Sequence, residues 1–117
     1  MLNSLHYYVY TTLNYVNFDK IPRAMRKKIL IIEDDKTLST VIQKNLSKMG
    51  YETYAAFDEE GGYNRSTQDK FALIICDIAL PDKDKLNPKS GFKIVDKIRE
   101  FDMEIPIIMI TDKYNKR

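Results

Sequence analysis

Cysteine is almost absent from this 117-residue sequence: Cys76 is the single one. One thiol rules out an intramolecular disulfide framework and any all-cysteine zinc site. Cys76 sits inside an apolar stretch beside Asp77, where a small buried filler in a reducing cytosol is expected. Long apolar runs are missing too. None approaches the ~20 residues that span a bilayer, and the start, Leu5-His-Tyr-Tyr-Val-Tyr10, lacks the basic leader and clean apolar core of a secretory signal. A cytoplasmic chain with no membrane role is expected. Charge of one sign is also scarce. Nineteen Lys and Arg against seventeen Asp and Glu leave +2, too little to argue for direct nucleic-acid binding or an anionic membrane surface. There is no glycine-rich phosphate loop and no nucleophile–base pair, which disfavours a metabolite-processing enzyme.

The chain does contain three short apolar runs with polar ends. Lys28-Ile-Leu-Ile-Ile32 ends in Glu33-Asp34-Asp35, Phe71-Ala-Leu-Ile-Ile-Cys-Asp77 ends in a carboxylate, and Ile105-Pro-Ile-Ile-Met-Ile110 ends in Thr111. Runs of this kind read as strands buried on both faces of a parallel sheet. Ligands in such sheets bind just beyond the carboxyl ends of the strands. Two carboxylate-bearing ends and one hydroxyl-bearing end then meet at one edge, which suits a hard divalent cation and a carboxylate able to accept a phosphoryl group.

The segments between these strands carry helical patterns. Leu38, Val41, Ile42, Leu46 and Met49 fall on one helical face, with Asp35 as N-cap and Gly50 at the C′ position. Tyr51 to Ala56 reads as a second strand. Residues 58–70 must cross back as a helix. Gly61-Gly62 disfavours that helix by about 2 kcal/mol relative to alanines, so it is expected to be short, frayed or displaced. Phe92, Ile94, Val95, Ile98 and Phe101 form an amphipathic pattern after Gly91. Alternating strands and helices predict an α/β fold, a parallel sheet with helices on both faces. Residues 1–25, rich in Tyr and Asn up to the break at Pro22, stand apart as an N-terminal extension. Either they add an element covering exposed sheet, or they are a disordered or non-native leader and the domain proper begins near Met25.

Three blocks in order, Lys28 to Asp35, Leu73-Ile-Ile-Cys-Asp-Ile-Ala-Leu-Pro-Asp82 with Gly91 after it, and Pro106-Ile-Ile-Met-Ile-Thr111, make residues 27–112 resemble a response-regulator receiver domain of two-component signalling. The resemblance implies a flavodoxin-like sheet of order 2-1-3-4-5, of which four of the five strands are present. It implies that Asp77 is the phosphoacceptor, that Asp34 binds Mg²⁺ directly, and that Glu33 does so directly or through water. It further implies that the main-chain carbonyl of Ala79 is the third protein ligand and that Thr111 hydrogen-bonds the phosphoryl group. The implied partner is a sensor histidine kinase, with a homodimer or a downstream output protein as further partners. Physics agrees: two carboxylates ~4 Å apart repel by about 1 kcal/mol in water and about 4 kcal/mol at an effective dielectric of 20, so a cation is needed to keep three of them ionised.

Two departures from the family stand out. The stretch Pro81 to Gly91 is longer than the family's usual turn; it reads as a solvated surface loop beside the site, either a tolerated insertion or an adjuster of partner choice and metal access. The family's next helix, fifth strand with its lysine, and last helix do not follow Thr111, and Lys113, Lys116 and Arg117 come too soon to be that lysine. Apolar side chains of the first and third strands are therefore expected to be exposed. The reading in first place is a phosphoacceptor receiver module spanning residues 26–117. Its rivals are a receiver-like interaction module that is not phosphorylated and a fragment without independent function.

Overall fold

The computed structural model describes residues 22–80 and 90–111. The extension up to residue 21, the loop at 81–89, and Lys113, Lys116 and Arg117 lie outside the described residues. After one 3-10 turn at Arg23–Met25, the chain runs β1 (Lys28–Ile32), α1 (Lys36–Lys48), β2 (Glu52–Ala56), α2 (Glu59–Gln68), β3 (Leu73–Asp77), α3 (Ser90–Phe101) and β4 (Ile107–Ile110). The four strands form one sheet in the order β2-β1-β3-β4, and every pairing is parallel. The α/β architecture and the order expected for the first four strands are both present.

Register decides what meets at the sheet edge. Ile32 of β1 lies opposite Cys76 of β3, and Asp77 lies opposite Ile110 of β4. The residue after Ile32, Glu33, and the residue after Ile110, Thr111, thus leave the sheet at the level of Asp77. The side chains below this edge form two cores. Leu30, Ile32, Ile74, Cys76, Leu80, Ile94, Ile98 and Ile105 pack on the α2–α3 face, while Ile29 and Ile31 pack with Leu46 and Met49 on the α1 face.

Helix α1 is held as its sequence implies. Asp35 accepts the Leu38 N–H at 3.0 Å, and Gly50 takes φ 94° where the chain leaves the helix, a left-handed turn that glycine adopts without a Cβ clash. Leu46 and Met49 are buried and Ile42 partly so, but Val41 is exposed. In α3, Ile94 and Ile98 are buried, whereas Phe92 and Phe101, at 46% and 48% exposure, lie at the margins of the apolar face. Phe101 meets Tyr63 of α2 edge-on at 5.9 Å between ring centroids.

Two expectations need correction. Helix α2 is a regular ten-residue helix. Asp58 caps it, accepting the Gly61 N–H at 2.7 Å, and Gly62 lets it settle directly on the core. A Cβ there would stand 2.7 Å from Ile94 Cδ1 and 2.9 Å from Ile32 Cδ1. The glycine pair weakens the isolated helix but permits a close approach that tertiary packing rewards. Secondly, the apolar side chains of β1 are not exposed: Ile29 and Ile31 are buried under α1 and Tyr51. Leu73 and Ile75 of β3 are half-buried, and the exposed apolar group on the sheet is Ile108 of β4, at 51%.

Candidate metal centre

The carboxyl edge of the sheet gathers the acidic residues picked out from the sequence. One carboxylate oxygen from each of Glu33, Asp34 and Asp77 lies within 4.8 Å of the others. β1 delivers the first two, because its last apolar residue, Ile32, is immediately followed by them; β3 delivers the third. Glu33 is 1% exposed and Asp77 fully buried, so the cluster is mostly removed from water.

Two of the three carboxylates are held in place by backbone. Asp77 Oδ1 accepts the Ala79 N–H at 3.0 Å, and Glu33 Oε2 accepts the Asp35 N–H at 3.1 Å. Two buried oxygens, Asp34 Oδ1 and Asp77 Oδ2, have no hydrogen-bond partner. Orphaned buried oxygens are costly, and a bound cation is one of the few groups that satisfies several at once. Burial pushes the Glu33 carboxyl up to about 8, with the neighbouring Asp34 and Asp77 carboxylates adding to the rise and the Asp35 N–H opposing it. Without a cation, Glu33 therefore keeps a proton near neutral pH. Oxygen-only donors that leave room for waters suit a small hard divalent ion. The cluster can hold a metal.

The structure brings Glu33, Asp34 and Asp77 together. It places Ala79 against the site through its N–H. Thr111 is exposed and follows Ile110, whose carbonyl accepts the Ile78 N–H at 2.8 Å. Cys76 is buried as expected, and burial followed by the charges of Asp77 and Glu33 pushes its thiol up to about 12. Its Sγ points at the carbonyls of Asp77 and Gly91, at 3.6 and 3.9 Å. Sequence reasoning missed the backbone donors of Asp35 and Ala79 and the contact of Gly91 with Asp77. A glycine in the first turn of a helix is a signal of close backbone approach, but nothing in the sequence says which backbone it approaches.

Comparison with known proteins agrees with this geometry. The family model described as the response regulator receiver domain matches residues 29–117. The alkaline phosphatase synthesis transcriptional regulatory protein PhoP of Bacillus subtilis is 33% identical over 89 residues, 76% of this chain and 35% of that protein. The transcriptional regulatory protein CrdR of Helicobacter pylori is 32% identical over 87 residues, 74% of this chain and 38% of that protein. The chain thus spans little more than a third of the length of these curated relatives. Among solved structures, a CheY-like receiver domain protein from Methanospirillum hungatei superimposes with a TM-score of 0.66 at 28% identity, covering 74% of this chain and 64% of that one. A two-component response regulator from Clostridium difficile gives 0.62 at 27% identity, covering 72% and 64%. With its sheet order, its acidic edge and a family match over most of its length, the chain belongs to the response regulator receiver domains of two-component systems.

Proposed function

We propose that this chain is a phosphoacceptor module in which Asp77 takes a phosphoryl group from the phosphohistidine of a sensor histidine kinase, in a reaction that needs Mg²⁺. The observation that carries the reading is the pair of orphaned buried oxygens, Asp34 Oδ1 and Asp77 Oδ2, within a three-carboxylate cluster. Glu33, Asp34, Asp77 and the Ala79 carbonyl would hold the ion. When bound, Mg²⁺ supplies neutralisation of the carboxylates and of the incoming phosphoryl charge.

The chain's own residues do the rest. The Ala79 N–H fixes Asp77 Oδ1, which leaves Oδ2 as the nucleophile. Oδ2 forms the bond to phosphorus as the P–N bond of the phosphohistidine breaks, and the departing imidazole nitrogen takes up a proton from solvent. Catalysis here is mostly positioning plus charge neutralisation. The Thr111 hydroxyl donates to a phosphoryl oxygen. Water later attacks phosphorus and releases inorganic phosphate, which restores the Asp77 carboxylate. The consequence is a changed protein surface for a downstream partner or a second copy of the chain. Residues 26–117 act as the receiver and residues 1–25 as an extension to it. The site works within the cytoplasm, on a protein partner and without direct nucleic-acid contact; among the described residues no helix is long and apolar enough to cross a membrane.

The test is labelling with radioactive acetyl phosphate and Mg²⁺, followed by hydroxylamine, which cleaves acyl phosphates. Hydroxylamine-labile label that is lost with EDTA and in Asp77→Asn is the expected result. A folded chain that takes up no label would instead be an interaction module that is not phosphorylated.

A further inference from the structure

The peptide that follows the carboxylate of Asp77 is gripped from two sides. On one side, the Ile78 N–H donates to the Ile110 carbonyl of β4 at 2.8 Å. On the other, the Ile78 carbonyl accepts the Gly91 N–H from the first turn of α3 at 3.2 Å. Gly91 is buried, and its Cα rests directly on the Asp77 carbonyl: a Cβ at this position would lie 2.1 Å from that oxygen and 2.8 Å from Ile78 Cα. Unlike Gly50, Gly91 does not have a positive φ, so glycine is required here for space and not for backbone freedom. The atoms in the way are backbone, which cannot rotate aside as a side chain can.

We infer that Gly91 is a positioning residue for the phosphoacceptor: by admitting the first turn of α3 against the Asp77 carbonyl, it fixes the orientation from which Asp77 attacks. The inference rests on Asp77 accepting a phosphoryl group. Any larger residue at position 91 must push the turn and the Asp77–Ile78 peptide apart by roughly 1 Å, a displacement that can lower a reaction rate by about a hundredfold. Gly62 supplies the matched comparison. Its absent Cβ would also be confined, less tightly at 2.7 to 2.9 Å, and by the side-chain ends of Ile94 and Ile32 instead of the Asp77 and Ile78 backbone.

The experiment uses the full 117-residue chain, with initial rates of labelling by acetyl phosphate and Mg²⁺ measured across donor concentrations below the melting point of each variant. Gly91→Ala is expected to lower the maximal rate roughly ten- to a hundredfold and to leave the half-saturating donor concentration within about twofold. Gly62→Ala is expected to keep both values within about twofold of the parent. A folded Gly91→Ala chain labelled at the parental rate, or an equal loss in Gly62→Ala, overturns the inference alone. A parent chain that takes no label overturns the functional reading and this inference with it. Amide hydrogen exchange on the parent decides the matter if Gly91→Ala does not fold. Mg²⁺ with beryllofluoride, a phosphoryl mimic, is expected to change protection of the Gly91 N–H at least about tenfold and of the Gly62 N–H less than about twofold. Equal responses at the two glycines overturn the inference.

Discussion

Glu33 carries the largest electrostatic consequence of building the site from three carboxylates. Its carboxyl usually titrates near 4.5 and here is pushed up to about 8, first by burial. The metal-free folded chain therefore holds a proton that the unfolded chain has released. The associated stability is complete below about 4.5 and is lost as pH rises through about 8. Each unit of such a difference corresponds to about 1.4 kcal/mol. Urea denaturation in EDTA is expected to show the parent losing stability relative to Glu33→Gln as pH rises from about 5 to about 8.5. A constant gap between the two across that range would show that Glu33 is ionised throughout. Asp77 supports a second expectation. Its Oδ2 is buried without a hydrogen-bond partner among two other carboxylates. Asp77→Asn removes an anion and supplies an N–H₂ donor, so it is expected to stabilise the metal-free chain by about 1–2 kcal/mol while abolishing labelling. A lower melting temperature in EDTA for the variant would contradict this. Glu33, Asp34 and Asp77 could be picked out from the sequence because each follows or ends an apolar run. The Gly91 contact could not, because it joins residues whose proximity only the path of the chain into α3 creates.

At the scale of elements, α2 shows where propensity fails as a guide. Its two glycines weaken the helix in isolation, yet Glu59–Gln68 is helical throughout. The Asp58 cap accounts for part of this, and ion pairing across to α3 for a smaller part, with Glu59 accepting from Lys97 at 3.1 Å; exposed pairs of this kind contribute little. The larger cause is the approach that Gly62 allows. The two glycines should therefore respond oppositely to alanine. At Gly61 a Cβ would meet Asp58 Oδ1 at 3.0 Å and otherwise only ordinary contacts, so Gly61→Ala is expected to range from neutral to about 1 kcal/mol stabilising through helix propensity. Gly62→Ala is expected to destabilise by about 1–3 kcal/mol, because the added methyl overpacks the core. Thermal melts of both variants check this, and equal effects would mean that propensity alone governs α2. The caps of α1 were legible because Asp35 and Gly50 act locally. The integrity of α2 was not, because it depends on Ile32 and Ile94 from elsewhere in the chain.

For the molecule as a whole, the parallel sheet and the acidic edge were legible together, since apolar runs with polar ends imply a parallel sheet, and a parallel sheet aligns the carboxyl ends of its strands; the strand order followed from the family resemblance. What the pattern could not say was how completely one helix covers a face. Ile42 and Leu46 of α1, with Met49 and Tyr51 just after it, suffice to bury Ile29 and Ile31, which leaves Ile108 of β4 as the exposed apolar group of the sheet. The same alignment makes the site a junction between β1 and β3, the two strands at the centre of the sheet. A cation binding there acts on global stability, because the unfolded chain does not hold Glu33, Asp34 and Asp77 together and so binds it weakly. A ligand specific to the folded state at ten times its Kd stabilises by about 1.4 kcal/mol, which for a domain of this size is a rise in Tm of roughly 5–10 °C. Calorimetry across a Mg²⁺ series is expected to show Tm climbing with the logarithm of concentration in the parent. The slope should be much reduced in Asp34→Asn and Asp77→Asn. A parent whose Tm ignores Mg²⁺ would mean that the three carboxylates are held apart from any ion by the protonation of Glu33, and the metal-dependent reading of the site would fall.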